Sequence, residues 1–371
     1  MSFNSTKDAR DLLGLLMDQP KKFLYGVDQA IFNSVMAMIT PIPRDGDSEK
    51  EWAQAHVYLL DLPGRGKSAL LKSLTSAVKA KMGRIDGRID MMPSDLVGRE
   101  DVDRFTGIRT LLKGPIHSNV FFFDEINRTP AKGQGILLGA MEGGYVVMNV
   151  TDLENKRIDS RMFPLYPISE KADEKENYFI VMATANPIEL VGTNELSEAQ
   201  KERFTYSLRT GLPKRVYEML IRSENVMGKK IEQVMDLKTL LEISDLVKKV
   251  TLSAQAHEYI QRLIENSRPI SQDLEEEDGY RPRKATSDLI QFVDRYVASG
   301  CSPRRNYHMQ AAAKAWAFMN GDDNVATADD VRSIASITME HVLLLQPRSL
   351  GDNITARTVV KKIIEQTAEL S

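Results

Sequence analysis

The chain has 371 residues, 42% of them hydrophobic, and a net charge of −3. That length supports two domains with cores of their own, and the lack of a basic excess or of aromatic–basic interleaving argues against a nucleic-acid surface. One cysteine, Cys301, excludes an intrachain disulfide and favours a reducing compartment, while five scattered histidines offer no zinc spacing. The N-terminal MSFNSTKDARDLLGLLMDQP has a short apolar patch broken by charge, which predicts an amphipathic helix rather than a leader peptide. No apolar run approaches the ~20 residues that span a bilayer, so a cytoplasmic protein without membrane insertion is expected.

Ile31, Val35, Met38 and Ile39 share one helical face. The following PIPRDGDSEKEWAQ is polar and turn-rich and reads as a surface loop. His56 to Leu60 is an apolar run suited to a buried strand, and SALLKSLTSAV after Gly66-Lys67 is helical. Between them lies DLPGRGKS, Asp61 to Ser68. A strand, a glycine-bearing turn and a helix form the setting of a phosphate loop. Gly64 and Gly66 let backbone N–H groups face phosphate oxygens. Lys67 would reach the outer phosphates, Ser68 would ligate Mg²⁺, and the helix N-terminus favours an anion. The run Pro63, Gly64, Arg65, Gly66, Lys67, Ser68 and Ala69 is therefore the candidate cradle for ATP. Asp61 stands where the usual pattern begins with glycine.

Arg84 to Met92 alternates as a second strand would, and Leu96 to Lys113 is an irregular insert. Val120 to Phe123 is a third apolar strand that ends in Asp124 and Glu125. Ligands of open parallel sheets bind at that end of the strands. Asp124 would hold the magnesium shell, and Glu125 would orient or deprotonate the attacking water. Tyr145 to Pro167 reads as short strands and turns, and Ser169 to Asn177 as a charged loop. The apolar strand Tyr178 to Ala183 leads to Asn186, able to bond a phosphate or the lytic water at the same edge. The spacing of these apolar runs predicts a parallel α/β sheet. Beyond Gly211-Leu212-Pro213 the pattern turns helical. Leu240, Ile243, Val247 and Val250 share a face, as do Ala256, Tyr259, Ile260, Leu263 and Ile264. Thr327 and Asp330 form a capping-type start. Arg268 to Lys284 reads as an extended, solvated loop.

These motifs resemble a AAA+ ATPase, and specifically the MoxR family. The run GPIHSNVFFFDEINRTPAKGQGILLGAMEGG, Gly114 to Gly144, is similar to that family's Walker B region, and MPSDLVG, Met92 to Gly98, to the segment before it. ATANPIELVGTNELSEAQKERF, Ala183 to Phe204, resembles the sensor 1 and arginine-finger stretch. Ser302 to Arg304 resembles sensor 2. LYGVDQA, Leu24 to Ala30, with Gly26 and Val27, resembles the segment that packs near adenine. Aspartate in place of the first Walker A glycine is also met in this family.

The resemblance implies a AAA+ P-loop core over 1–212, with an insert near 96–113, followed by a small helical lid over 213–371. It implies Walker A at Lys67 and Ser68, Walker B at Asp124 and Glu125, and sensor 1 at Asn186. It makes Arg203 the finger that reaches a neighbour's ATP and Arg304 the sensor 2 arginine at a cleft between core and lid. It further implies a homo-oligomeric ring, expected to be hexameric. Such rings perform chaperone-like remodelling of a client with a separate von Willebrand factor A-domain partner. Two other readings stay open: a DNA-associated AAA+ motor, for which Arg99, Arg104, Arg109 and Lys113 cluster in the insert, and an ATP-stabilised scaffold with negligible hydrolysis.

Overall fold

The structure, a computed structural model, describes residues 5–43, 52–60, 64–152, 157–165, 178–186, 194–211, 230–270, 285–321 and 324–367. Its centre is a parallel sheet of five strands: β1 (His56–Leu60), β2 (Met82–Asp86), β3 (Val120–Asp124), β4 (Ile180–Ala185) and β5 (Phe204–Leu208). They lie in the order β5-β1-β4-β3-β2. All six residues of β4 and all five of β5 are buried, as in parallel sheets covered on both faces. Side chains alternate between the faces. Phe122 joins one core with Leu70, Leu71 and Leu74. Phe121 and Phe123 join the other with Leu137, Ala140 and Met141.

Helices α1 (Thr6–Lys21) and α2 (Asp28–Ile39) precede the sheet, α3 (Lys67–Ala77) follows β1, and α4 (Ala131–Gly143) follows β3. The expected amphipathic N-terminal helix is α1, opened by a Ser5–Asp8 capping box. The second strand starts at Met82 and ends at Asp86, short of the span expected from alternation, because Pro93 opens a short helix, Pro93–Val97. The insert is a hairpin of Gly98–Val102 and Arg109–Lys113. Tyr145–Asp152 and Arg157–Pro164 form a second, longer hairpin. Thr151 joins the two, since the Glu100 carboxylate accepts from the Thr151 hydroxyl at 2.6 Å and backbone N–H at 3.1 Å. The ends of the expected loop at 41–54 pair as a small antiparallel sheet, Pro41–Pro43 with Trp52–Gln54. Residues 44–51, the charged run 169–177 and residues 271–284 of the expected solvated loop lie outside the described residues.

The longer described C-terminal helices are α5 (Leu237–Lys249), α6 (Ala254–Asn266), α7 (Ser287–Tyr296), α8 (Arg305–Asn320), α9 (Ala328–Met339) and α10 (Ala356–Gln366). Asp236, Ser253, Thr286 and Thr355 each accept a first-turn N–H at the start of theirs, worth about 1 kcal/mol apiece. The Asp330 carboxylate accepts the Thr327 N–H at 2.7 Å. These helices share one continuous core with α1, α2 and one face of the sheet. The expected boundary near 212 lies outside the described residues. No described helix is long and apolar enough to cross a membrane.

Candidate nucleotide site

The C-terminal ends of β1, β3 and β4 converge on one edge of the sheet. Asp61 and Pro63 lie outside the described residues. Gly64 and Gly66 have φ of 77° and 76°, a left-handed backbone that glycine adopts without penalty. Gly66 is the N-cap of α3, so Lys67, Ser68 and Ala69 form its first turn, with Lys67 buried to 9% exposure. A Cβ on Gly66 would stand 2.9 Å from Leu24 Cδ2. The segment that leads through Gly26 and Val27 into α2 therefore packs against the loop.

Asp124 ends β3, and its backbone carbonyl accepts the Gly87 N–H at 2.7 Å. Thr184, fully buried on β4, donates its hydroxyl to Asp124 Oδ1 at 2.6 Å and accepts the Glu125 N–H at 2.8 Å. One hydroxyl thus fixes both acidic residues. Glu125 takes φ 52° and ψ 49°, rare for a residue with a side chain and found where surrounding structure over-determines it. Its carboxylate meets Arg128 Nε at 3.2 Å. Arg84, from the neighbouring edge strand, donates to Asp124 Oδ2 at 3.0 Å. Asn186, 7% exposed, follows β4 directly, and its carbonyl accepts from Asn127 Nδ2 at 3.4 Å. Lys67, Ser68, Asp124, Glu125 and Asn186 are thus brought to one edge. Two left-handed glycines before an 11-residue helix suit a polyphosphate, and the Ser68 hydroxyl with the Asp124 carboxylate is a hard-oxygen set suited to Mg²⁺.

Arg203 and Arg304 lie at the opposite edge. Arg203 immediately precedes β5, whose Phe204 pairs with His56, the first residue of β1. His56 Nε2 bonds the Met141 carbonyl at 3.1 Å. The next residue, Glu142, accepts from Arg203 through Oε2 and from Arg304 at 3.0 Å through Oε1. Burial raises the Glu142 pKa, but the two guanidiniums more than offset it and hold the carboxyl below its ordinary range. Four residue steps, about 13 Å, separate the two ends of β1: His56 beside this cluster and Leu60 before the phosphate loop. Arg304 is held on Glu142 in this structure, at the end of β1 away from the phosphate loop.

The reason is how α8 docks. Arg305 is fully buried, bonded to Glu202 Oε2 at 2.8 Å and to the carbonyls of Glu202 and Phe204 at 3.0 Å each. His308 Nδ1 meets Thr205 Oγ1 at 2.8 Å, and His341 Nε2 meets the Phe204 carbonyl at 2.8 Å. Thr184, Gly87, Arg84, Glu142 and Arg305 were not singled out from the sequence. The extended run around Arg84 and the TAN tripeptide after β4's apolar stretch were the only signals near the first three.

The chain matches the ATPase family associated with various cellular activities (AAA) over residues 56–163 and the AAA lid domain over residues 291–363. Fold and matches together define a AAA-type P-loop protein with its lid. It is 26% identical over 356 residues to Chaperone MoxR1 of Mycobacterium tuberculosis, covering 94% of this chain and 80% of that protein. It is 28% identical over 360 residues to the uncharacterized protein YeaC of Bacillus subtilis, covering 96% and 95%. Protein MoxR of Paracoccus denitrificans is 26% identical, covering 79% and 81%. The chain resembles the MoxR family of AAA+ ATPases in these relatives and in its matches to the AAA models. A crystal structure of a candidate ATPase from Cytophaga hutchinsonii shares the fold, with TM-score 0.77 and 24% identity over 99% of this chain and 97% of that one.

Proposed function

We propose that the chain hydrolyses ATP at sites shared between subunits of a ring and uses the cycle to remodel a client protein. The observation that carries this reading is the division of the candidate residues between two edges. Lys67, Ser68, Asp124, Glu125 and Asn186 gather at one, while Arg203 and Arg304 meet on Glu142 at the other. A subunit so built binds a nucleotide at its own phosphate loop and presents two guanidiniums to the nucleotide of a neighbour.

Residues 1–212 act as the nucleotide-binding unit and 213–371 as the lid. Backbone N–H groups from Gly64 to Ala69 cradle the phosphates, and Lys67 neutralises their outer charge. Gly26 and Val27 flank the base. Mg²⁺, held through Ser68 and Asp124, would offset the phosphate charge. Glu125 accepts the proton of the attacking water, and Asn186 orients that water or the terminal phosphate. Arg203 stabilises charge at the neighbour's phosphate, a contribution worth about 10³–10⁵-fold in rate. Arg304 serves the same neighbouring site. Because α8 is anchored to β5 by Arg305, lid and finger move as one body relative to the next subunit.

Six subunits, a cytoplasmic setting, a client and a separate von Willebrand factor A-domain partner complete the reading by family likeness. The test is ATP turnover per subunit at rising protein concentration, with Arg203→Ala alongside. Turnover that climbs with concentration and collapses in the variant is expected. Flat turnover equal in both proteins would refute a shared site. Glu125→Gln should retain ATP and assembly without turnover; a variant identical to wild type in all three would leave a scaffold.

A further inference from the structure

Asp124 has two carboxylate oxygens, and the fold treats them differently. Oδ1 is fixed by Thr184, a fully buried residue whose hydroxyl also accepts the Glu125 N–H. Turning that hydroxyl away would break both bonds, so Oδ1 is committed. Oδ2 faces Arg84 at 3.0 Å.

The position of Arg84 follows from strand register. Arg84 pairs with Phe122 and Asp86 with Asp124 across β2 and β3. Arg84 and Asp86, two apart, lie on one face of the sheet. The Arg84 guanidinium carbon sits 5.4 Å from the Phe122 ring centroid, which directs the group toward its diagonal neighbour Asp124. The same guanidinium donates to Asp86 Oδ1 from Nη2 at 2.8 Å and from Nε at 3.0 Å. It therefore bridges two carboxylates and already holds the second with two bonds. Side-chain exposure is 36% for Arg84 and 65% for Asp86, against 19% for Asp124. The Asp86 pair is the more solvated one, so moving wholly onto it is a small adjustment.

We propose that Arg84 is a magnesium gate: it holds the one uncommitted oxygen of Asp124 and yields it to the metal by moving onto Asp86. The inference rests on Ser68 and Asp124 being the magnesium set. In competition, metal binding must displace the Arg84–Asp124 contact, so Arg84 raises the magnesium concentration needed for tight nucleotide binding. Asp86 lowers it by giving Arg84 somewhere to go. A purely structural bridge between two aligned carboxylates would have neither effect.

The experiment is equilibrium binding of a fluorescent ADP analogue to the full chain as Mg²⁺ is titrated, reading the half-saturating magnesium concentration. Arg84→Ala should lower it about two- to fivefold, the scale on which partly exposed ion pairs act. Arg84→Gln, which keeps a stem over Phe122, should do the same and guards against a fold defect in the alanine variant. Asp86→Asn should raise the concentration severalfold, but only while Arg84 is present, so the Arg84→Ala/Asp86→Asn double variant should match Arg84→Ala. An unchanged or raised requirement in both Arg84 variants overturns the gate. So does an Asp86→Asn shift of equal size in both backgrounds, which would be simple charge at a distance. Asp124→Asn separates the two levels. If it leaves the magnesium dependence intact, the metal assignment itself fails and the gate with it. If it abolishes the dependence while the Arg84 variants behave as wild type, only the gate fails.

Discussion

A Cβ placed on Gly87 would stand 2.1 Å from the carbonyl oxygen of Glu125. The two backbones touch because Gly87 continues β2 past its last residue and donates its N–H to the Asp124 carbonyl at 2.7 Å. Behind that contact Glu125 adopts its left-handed turn, φ 52°, which swings the carboxylate out of the strand direction. Gly87→Ala cannot be accommodated by a side-chain rotation, since the obstacle is backbone. The variant should lose about 1–3 kcal/mol of stability. Its ATP turnover should fall roughly 10²-fold, the scale of a misplaced general base. Urea unfolding and steady-state hydrolysis check the two parts, and wild-type turnover in a folded Gly87→Ala protein would show that Glu125 does not depend on this contact.

Thr184 invites a sharper substitution. Valine has nearly the same shape but no hydroxyl, so Thr184→Val leaves Asp124 Oδ1 without its 2.6 Å donor and the Glu125 N–H without its acceptor. Orphaned buried polar groups cost about 1–3 kcal/mol. Turnover should drop about 10- to 100-fold, with a higher magnesium requirement for nucleotide binding, because Thr184 positions both Glu125 and the magnesium ligand Asp124. Thr184→Ser should recover most of the loss. Equal defects in valine and serine variants would point to lost packing of the methyl group instead.

The phosphate loop and the acidic strand end were readable in the sequence because each is set by a few adjacent residues. Gly64, Gly66, Lys67 and Ser68 need only a strand before them and a helix after. Strand β5 is only weakly legible: FTYSL, Phe204–Leu208, alternates apolar and polar residues as a half-buried strand would, but over five positions directly after a charged stretch, and the structure buries all five. The roles of Arg84 and Thr184 depend on register between strands about 40 and 60 residues apart, which local pattern does not encode. The position of Arg304 was hidden for a related reason. It follows from the docking of α8, and of the turn after α9, on β5 through Arg305, His308 and His341, three polar residues with no periodic signature of burial.

That docking carries a pH dependence. Burial, followed by the nearby Arg305 charge, pushes His341 down to about 3 and His308 well below its ordinary value. Both are neutral in the folded protein, whereas in the unfolded chain each takes up a proton near 6.5. Below about pH 6.5 the unfolded state therefore binds more protons, so stability is complete above that value and declines as pH falls toward 3. At pH 5 the loss should be about 2 kcal/mol per histidine. Urea unfolding of the full chain at pH 7.5 and 5.0 measures it. His341→Gln, which keeps a donor for the Phe204 carbonyl, should remove about half of the loss. A slope unchanged by that substitution would assign the pH sensitivity to other groups.

The separation of Arg304 from its own phosphate loop allows a decisive mixing test. Arg304→Ala keeps an intact Glu125 but lacks the lid arginine; Glu125→Gln keeps Arg304 but cannot activate water. If Arg304 serves a neighbour's nucleotide, a mixed ring contains sites in which the Glu125 of an Arg304→Ala subunit faces the Arg304 of a Glu125→Gln subunit. Such sites are complete, so mixing two nearly inactive proteins should restore turnover, rising to a maximum near equal proportions. If Arg304 instead swings to its own chain's loop, Arg304→Ala subunits lack it and Glu125→Gln subunits lack the base, so no mixture contains a complete site. Arg203→Ala mixed with Glu125→Gln should behave as the first case predicts. Recovery with Arg203→Ala but not with Arg304→Ala would assign the two arginines that share Glu142 to different nucleotides. It would also require the lid to leave its Arg305 anchor during the cycle.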